Sequence, residues 1–344
     1  MARCSQSWTR RFLFLSLALV TVQLAGDTLL ARDQGHGPVA PGPTPAGTDL
    51  HGQGEYRGAT YTDRYGAEAA GLQIVALGNR EFRTVQFRRG LPGAGWNRVD
   101  QFDLQRNDRW HCVRLGDQQF SISICGWVAT LRNSANQLVG RLHRQHRCSP
   151  TLGRRPTPGA VTLFDGTSTE HFAKGEATPD GLLMTGALSV APVSAFFLHV
   201  EFRTPYRPVA RGQARGNSGV YIQERYIQER YEVQILDSFG NQRSFDECGA
   251  LYKTRAPDVN ICFPPLAWQT YDIVFSAPRW STDGTRKFRK AQLTVVHNGV
   301  RIHDNAEIPD KTGEGKPEGP ERRPIRFQNH CNPVHFRNIW IVHN

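Results

Sequence analysis

From Phe197 to Arg203 the chain alternates with a period of two. Phe197, His199, Glu201 and Arg203 fall on one side of an extended segment, and Leu198, Val200 and Phe202 on the other. The same alternation recurs at Val220 to Gln223, Tyr231 to Leu236, Thr270 to Phe275, Ala291 to His297 and Phe336 to Val342, with hairpin punctuation such as Asn298-Gly299 between segments. Many short strands joined by Gly- and Pro-containing loops over residues 160–344 predict a two-sheet sandwich or jelly roll. From Tyr56 to Arg147 the segments Leu72 to Leu77, Phe82 to Phe87, Gln119 to Val128 and Gln137 to Leu142 also read as strands. No apolar stripe at helical spacing accompanies them, so residues 55–149 are expected to form a small antiparallel β domain or barrel.

The ends and joints read differently. Arg3, Arg10 and Arg11 precede an apolar run from Phe12 to Val20, loosely extended to Gly26, the layout of a signal peptide (residues 1–26) or of an uncleaved N-terminal anchor; export to the periplasm, cell surface or medium is expected. Residues 27–54 are Gly- and Pro-rich without periodic apolar positions and read as a disordered linker, and the Pro-rich stretch 150–159 as a second, stiffer one. Six cysteines remain once Cys4 is assigned to the signal. In an oxidising compartment Cys248 and Cys262 are the preferred disulfide, buried free thiols being the alternative.

Net charge is +11, but residues 1–159 carry 20 Lys+Arg against 11 Asp+Glu, and the remainder 22 against 20. The excess is therefore N-terminal. Arg80, Arg83, Arg88 and Arg89 come without an interleaved aromatic platform, which favours a solvated basic face over a nucleic-acid partner. No HExxH, CxxC, GxSxG or EF-hand spacing is present, which removes support for protease, zinc-ribbon, esterase and calcium-loop readings. One local feature stands out: Tyr221 to Arg225 and Tyr226 to Arg230 are identical Tyr-Ile-Gln-Glu-Arg units. Because five is odd, a continuous strand through both would exchange its two faces, so one copy is expected to loop out near Glu224 to Tyr226.

The runs LFDGTS (163–168), LHVEFR (198–203), RGNSGVY (215–221), YEVQILDSFG (231–240), CGALY (248–252), WQTYDIVF (268–275), VHNGV (296–300) and NHCNPVHFRNIW (329–340) occur in one order. As a set they resemble the 3-keto-disaccharide hydrolase domain family over residues 160–344. The Gly90 to Trp96 loop and Ser149 to Gly153 extend the likeness to exported two-domain members, back to about residue 55. The chain departs from the pattern at three places. The pentapeptide repeat is an insertion, Cys331 stands where glycine is expected, and Asn329 stands where aspartate is expected, leaving the loop geometry around His330 open.

The resemblance implies an all-β, concanavalin A-like jelly roll acting on a carbohydrate, a glycoside whose C3 hydroxyl has become a ketone. The ketone acidifies the C2 proton, so a base removes it, the C1 substituent leaves and water adds to the unsaturated ketone. Glu232, His330 and Glu201 are the catalytic candidates. Arg203, Asn217, Tyr221, Gln223, Gln234, Trp280 and Asn332 are the candidates for holding the sugar. A divalent cation at Glu232, Asp237 and His330 is a further expectation. Glu232 and Gln234, two residues apart, share one face of a strand and suggest an open polar groove. Two alternatives stand beside this reading: a non-catalytic carbohydrate-binding module, and a conventional glycosidase pairing Glu232 with Glu201. No membrane contact beyond the N-terminal segment is expected.

Overall fold

The computed structural model of the protein describes residues 48–62, 66–79, 81–99, 101–104, 113–115, 118–224 and 231–343, all within a unit spanning Pro43–Asn344. The expected signal segment, most of the first linker, Arg80 and the second pentapeptide copy lie outside the described residues. The first linker was expected to reach residue 54, but a helical turn, α1 (Thr48–Gly52), already orders its end.

The first sheet comprises β1 (Gly54–Thr62), β2 (Gly66–Gly78), β3 (Glu81–Arg88), β4 (Gln101–Leu104), β5 (Val113–Leu115), β6 (Gln118–Cys125), β7 (Val128–Asn133) and β8 (Leu138–Gln145). These eight strands are antiparallel in the order β4-β3-β2-β1-β8-β7-β6-β5. Tyr56, Leu72, Ile74, Ile122, Leu131 and Leu142 form its apolar cluster. Its arginines are not simply solvated. Arg88 grips Glu68 with two hydrogen bonds, at 2.8 and 2.7 Å, and Arg83 reaches Asn241 at 2.6 Å.

The remaining strands are β9 (Val161–Phe164), β10 (Leu183–Met184), β11 (Phe196–Arg203), β12 (Ser218–Ile222), β13 (Tyr231–Ile235), β14 (Gln269–Ser276), β15 (Arg279–Trp280), β16 (Lys287–Arg289), β17 (Ala291–His297), β18 (Val300–Ile308), β19 (Ile325–Phe327) and β20 (His335–His343). A seven-stranded sheet runs β10-β20-β11-β14-β17-β18, with β9 added on β20, and a three-stranded sheet runs β13-β12-β19. The alternation read from sequence decides which sides meet. Leu198, Val200 and Phe202 of the large sheet share one core with Val220, Ile222, Tyr231, Val233, Ile235, Ile325 and Phe327 of the small one. This is the expected all-β sandwich of the jelly-roll type. The turn at Asn298-Gly299, with φ of 48° and 78°, joins β17 to β18 through a pair at His297 and Val300, the two-residue hairpin expected of Asn-Gly.

The first copy of the repeat begins within β12, at Tyr221 and Ile222, and leaves it toward β13. Tyr221 pairs with Glu232 and Ile222 with Tyr231, so five extra residues in that hairpin loop leave the register of the paired strands unchanged. The strand ends at Ile222, and Gln223 takes a left-handed conformation, φ 57°, one residue before the expected exit at Glu224.

The outward face of the large sheet is covered by the stretch expected to be a stiff spacer. Residues 149–154 instead form turns docked on β11, β14 and β20. The Ser149 and Thr151 hydroxyls hydrogen-bond Thr270, at 2.6 and 2.8 Å, and the Gly153 amide donates to Glu201. Trp340 is buried beneath this cover, stacked on His199 and donating its Nε1–H to the Arg154 carbonyl. Glu201, 1% exposed, also accepts from Asn338 and from Arg337 at 2.8 and 2.7 Å. Burial alone would raise its pKa, but hydrogen bonds from His199, Asn338, Gly153 and Arg337 outweigh it and hold the carboxyl at about 2.

A carboxyl depressed in the folded state stabilises above its unfolded pKa, and that stabilisation fades as pH falls toward the folded value. Glu201→Gln is therefore expected to lower stability at pH 7 by on the order of 3 kcal/mol. The deficit should shrink between about pH 4.5 and about pH 2. Urea unfolding midpoints across that range check it, and a pH-independent deficit would count against the network.

Candidate active site

The same alternation that fills the core projects a second set of side chains outward from the small sheet. Tyr221 lies opposite Glu232 on one side and Arg326 on the other. Cross-strand partners share a face, so these three side chains stand together, away from the core. One rung along, Gly219 lies opposite Gln234, and the Gln328 amide donates to the Gly219 carbonyl at 2.9 Å. Gln328 also donates its side-chain Nε2–H to the Tyr221 hydroxyl. At the centre, Gly219 has no side chain, and a Cβ there would meet Glu232 Oε1 at 2.7 Å. The Glu232 carboxylate thus overhangs the one position where the sheet leaves room for it. Its strand is pinned from behind, where the Glu232 amide donates to Thr312 Oγ1 at 2.8 Å.

The open groove expected around Glu232 is not what the chain builds. Glu232 is 3% exposed and Gln234 1%, and both are buried among polar groups rather than in the apolar core. Arg326 pairs with Glu224 Oε1 at 2.6 Å, setting a cation beside the Glu232 carboxylate's neighbour Tyr221. Sequence reasoning missed Arg326 and Gln328, although Ile325-Arg326-Phe327-Gln328 carries the same period-two signal that identified Glu232 and Gln234.

Next to this face the Arg215 to Gly219 turn is held by a second network. Arg215 Nε binds Asp237 Oδ2 at 2.7 Å, and burial still pushes the Asp237 carboxyl upward against the guanidinium beside it. Arg215 also donates to the Ala76 carbonyl of β2 at 3.3 Å, so the first sheet helps to hold the turn. Asn217 donates to Gln213 at 2.9 Å. Asn332, expected to touch substrate, is instead fully engaged as a clamp. Its Oδ1 accepts from the Gly216 amide at 3.0 Å and from Arg207, and its Nδ2 donates to the His330 carbonyl at 2.9 Å.

That clamp places the His330 loop at the edge of the polar face, since the loop leaves from Gln328 and is tied back to Gly216. His330 itself is exposed, whereas Glu232 is buried. The substitutions that left this loop open have a local solution. Cys331 adopts φ 54°, the left-handed conformation for which glycine is suited, and Asn329 Oδ1 accepts the Cys331 amide at 3.0 Å, a role aspartate would also fill.

Other expectations are corrected by placement. Glu201 and Arg203 project from the outward face of the large sheet, Arg203 with its guanidinium 5.0 Å from the Trp268 ring centre. Two sheets and the core between them separate both residues from Glu232, so Glu201 neither joins it as a catalytic partner nor forms a carboxylate pair for conventional glycosidase chemistry. Trp280 lies in the β15–β16 hairpin, outside the three-stranded sheet that carries Glu232, with Lys287 Nζ 5.7 Å from its ring centre. Glu232, Asp237 and His330 do not assemble as metal ligands: Asp237 is committed to Arg215, and no group of three His, Cys, Asp or Glu suited to a metal occurs among the described residues. Cys248 and Cys262 sit together in the core as free thiols rather than as the expected disulfide, Cys248 hydrogen-bonding the Tyr271 hydroxyl at 3.1 Å.

The fold and this face define a β-sandwich with a buried carboxylate set among amides, a tyrosine and an arginine on the side turned away from its core. Residues 159–342 match the family described as the 3-keto-alpha-glucoside-1,2-lyase-like domain, and the chain belongs to that family, which makes it a glycoside-processing enzyme. Among solved structures, a protein from Parabacteroides distasonis ATCC 8503, provisionally described as a glycosyl hydrolase, aligns at 28% identity over 54% of this chain and 84% of its own, with a TM-score of 0.49. A second protein from that organism with the same description aligns at 19% identity over 54% and 94%, with a TM-score of 0.39. No curated relative matches the chain.

Because Cys331 holds a glycine-type conformation, Cys331→Gly is expected to stabilise the protein by about 1 kcal/mol. Thermal unfolding checks it; a lower melting temperature would show that the thiol contributes more than the strain costs.

Proposed function

We propose that the protein cleaves 3-keto-glycosides, with Glu232 as the base that removes the C2 proton. The observation that carries this reading is the Glu232 carboxylate overhanging Gly219 on the polar face, with Gln234 one rung along and Tyr221 between it and Arg326. Proton removal sends the C2–H electron pair toward C3, and negative charge develops on the ketone oxygen. Arg326 and the Tyr221 hydroxyl are the groups on the same face able to stabilise that charge. Collapse of the enolate forms the C1–C2 double bond and breaks the bond from C1 to the departing oxygen, which takes up a proton. Water then adds at C1 and a proton at C2, so the net reaction is hydrolysis. His330, exposed on the loop at the rim, is the residue we assign to proton exchange with the departing oxygen and the incoming water. No step is routed through a metal ion. The export expected from the N-terminal sequence is part of this proposal and places the substrate outside the cytoplasm.

Incubation with a methyl 3-keto-glucoside and with its unoxidised parent tests the reading. Release of methanol from the keto compound alone is expected; release from the parent would indicate a conventional glycosidase, and binding without release a carbohydrate-binding module. Glu232→Gln is expected to lower kcat by about 10²–10⁴-fold, the usual contribution of a general base. Gly219→Ala places a methyl group in the carboxylate's position and is expected to lower kcat as well, with the far-ultraviolet circular dichroism spectrum unchanged. Full activity in Gly219→Ala would show that the carboxylate does not work from where it lies.

A further inference from the structure

Gln213, on the short 3-10 turn Gly212–Ala214, was not among the residues expected to act, yet the polarity of the site is set through it. Its Nε2–H donates to the backbone carbonyl of Asp246 at 2.9 Å. A carbonyl can only accept, so the Gln213 amide is fixed with its nitrogen toward Asp246 and Oε1 toward the polar face. Oε1 then accepts from two side chains at once, Asn217 Nδ2 at 2.9 Å and Gln234 Nε2 at 3.1 Å. Both of those amides are consequently turned with their nitrogens to Gln213 and their carbonyl oxygens away from it. Asn217 is 2% exposed and Gln234 1%, and Asn217 Oδ1 and Gln234 Oε1 have no hydrogen-bond partner among the described residues. Gln328 adds a third case on the same face, its nitrogen engaged by Tyr221 and its Oε1 unpartnered.

Buried acceptors without donors are uncommon in folded proteins and costly to leave unmet. Three carbonyl oxygens around Gly219 and Glu232 call for a ligand rich in hydroxyl donors. We infer that Gln213 is a positioning residue that turns Asn217 and Gln234 into acceptors for two hydroxyl groups of the substrate. This rests on the glycoside reading above and adds to it a rule of recognition. The sugar must present free hydroxyls, as donors, beyond the oxidised C3. A ring whose hydroxyls are methylated or removed loses what these oxygens recognise.

Equilibrium binding by calorimetry tests the inference without depending on turnover. The probes are methyl 3-keto-glucoside and its 4-deoxy and 6-deoxy congeners, titrated into full-length protein carrying Glu232→Gln, alone and combined with Gln213→Leu or Gln213→Glu. With Gln213 intact, at least one deoxy congener is expected to bind about ten-fold or more weakly, the loss of one well-placed hydrogen bond. Gln213→Leu is expected to weaken the parent probe by a similar factor while leaving that deoxy congener nearly unaffected. Gln213→Glu, which offers an acceptor to Asn217 and Gln234 and can donate to the Asp246 carbonyl only when protonated, is expected to restore discrimination in part at acid pH. Equal weakening of all probes by Gln213→Leu, or none, would overturn the inference, as would absence of binding by any probe. Hydroxyl-dependent binding lost on Gln213→Leu, together with no methanol released by the wild-type protein, would uphold it while removing the catalytic reading.

Discussion

The packing of the three-stranded sheet onto the large one is the constraint from which the site follows. Val220, Ile222, Tyr231, Val233 and Ile235 go inward because the core requires apolar surface there. Strict alternation then leaves Tyr221, Glu232 and Gln234 no choice but the other side. A shift of one residue in the β12–β13 pairing would bring a carboxylate into the core and a tyrosine and two aliphatic side chains out of it, at a cost no local interaction would offset. The position of the carboxylate is thus fixed by hydrophobic burial on the opposite side of the same strand.

Two polar networks occupy the two outer faces of the sandwich and serve different ends. Behind the large sheet, Glu201, His199, Asp272, Asn338 and Arg337 bind one another and the turns at residues 149–154. Asp272 lies 2.8 Å from the His199 Nδ1. Although burial works against it, hydrogen bonds and charge from Asp272 and Glu201 raise the His199 pKa, so this residue stabilises the fold at low pH and ceases to do so as pH rises past its raised value. Each of these side chains is bound to another within the protein, and only the second oxygen of Asp272 is left without a hydrogen bond among the described residues. On the small sheet the accounting differs: amide oxygens are left over, and a glycine leaves space. Surplus acceptors and missing bulk mark a face that is completed by something else.

Much of this was readable from residue order. The period-two pattern at Phe197 to Arg203 separated core from outer face correctly, and Asn298-Gly299 gave its hairpin. What the pattern could not tell is which outer face belonged to which sheet. Glu201 and Glu232 look alike in sequence, each a carboxylate beside apolar neighbours, and only the assembly of the two sheets puts them on opposite sides. Asn332 and Asp237 looked equally suited to a ligand, but partners distant in sequence, Arg207 and Gly216 for one and Arg215 for the other, had already engaged them. Gln213 was invisible for the converse reason, since nothing near it in sequence marks the side chains it orients. Arg326 lay in a strand too short to stand out, with Gln328 just past its end, though their alternation was present.

Transfer of a proton from C2 to Glu232 is the event on which the account turns. The most direct measurement is the rate of cleavage of a 3-keto-glucoside carrying deuterium at C2, compared with the protium compound, together with exchange of that position with solvent. A primary isotope effect or wash-out of the label in the native protein, absent when Glu232 is replaced by glutamine, is the predicted result. Cleavage that proceeds with the C2 label retained and without an isotope effect would contradict it.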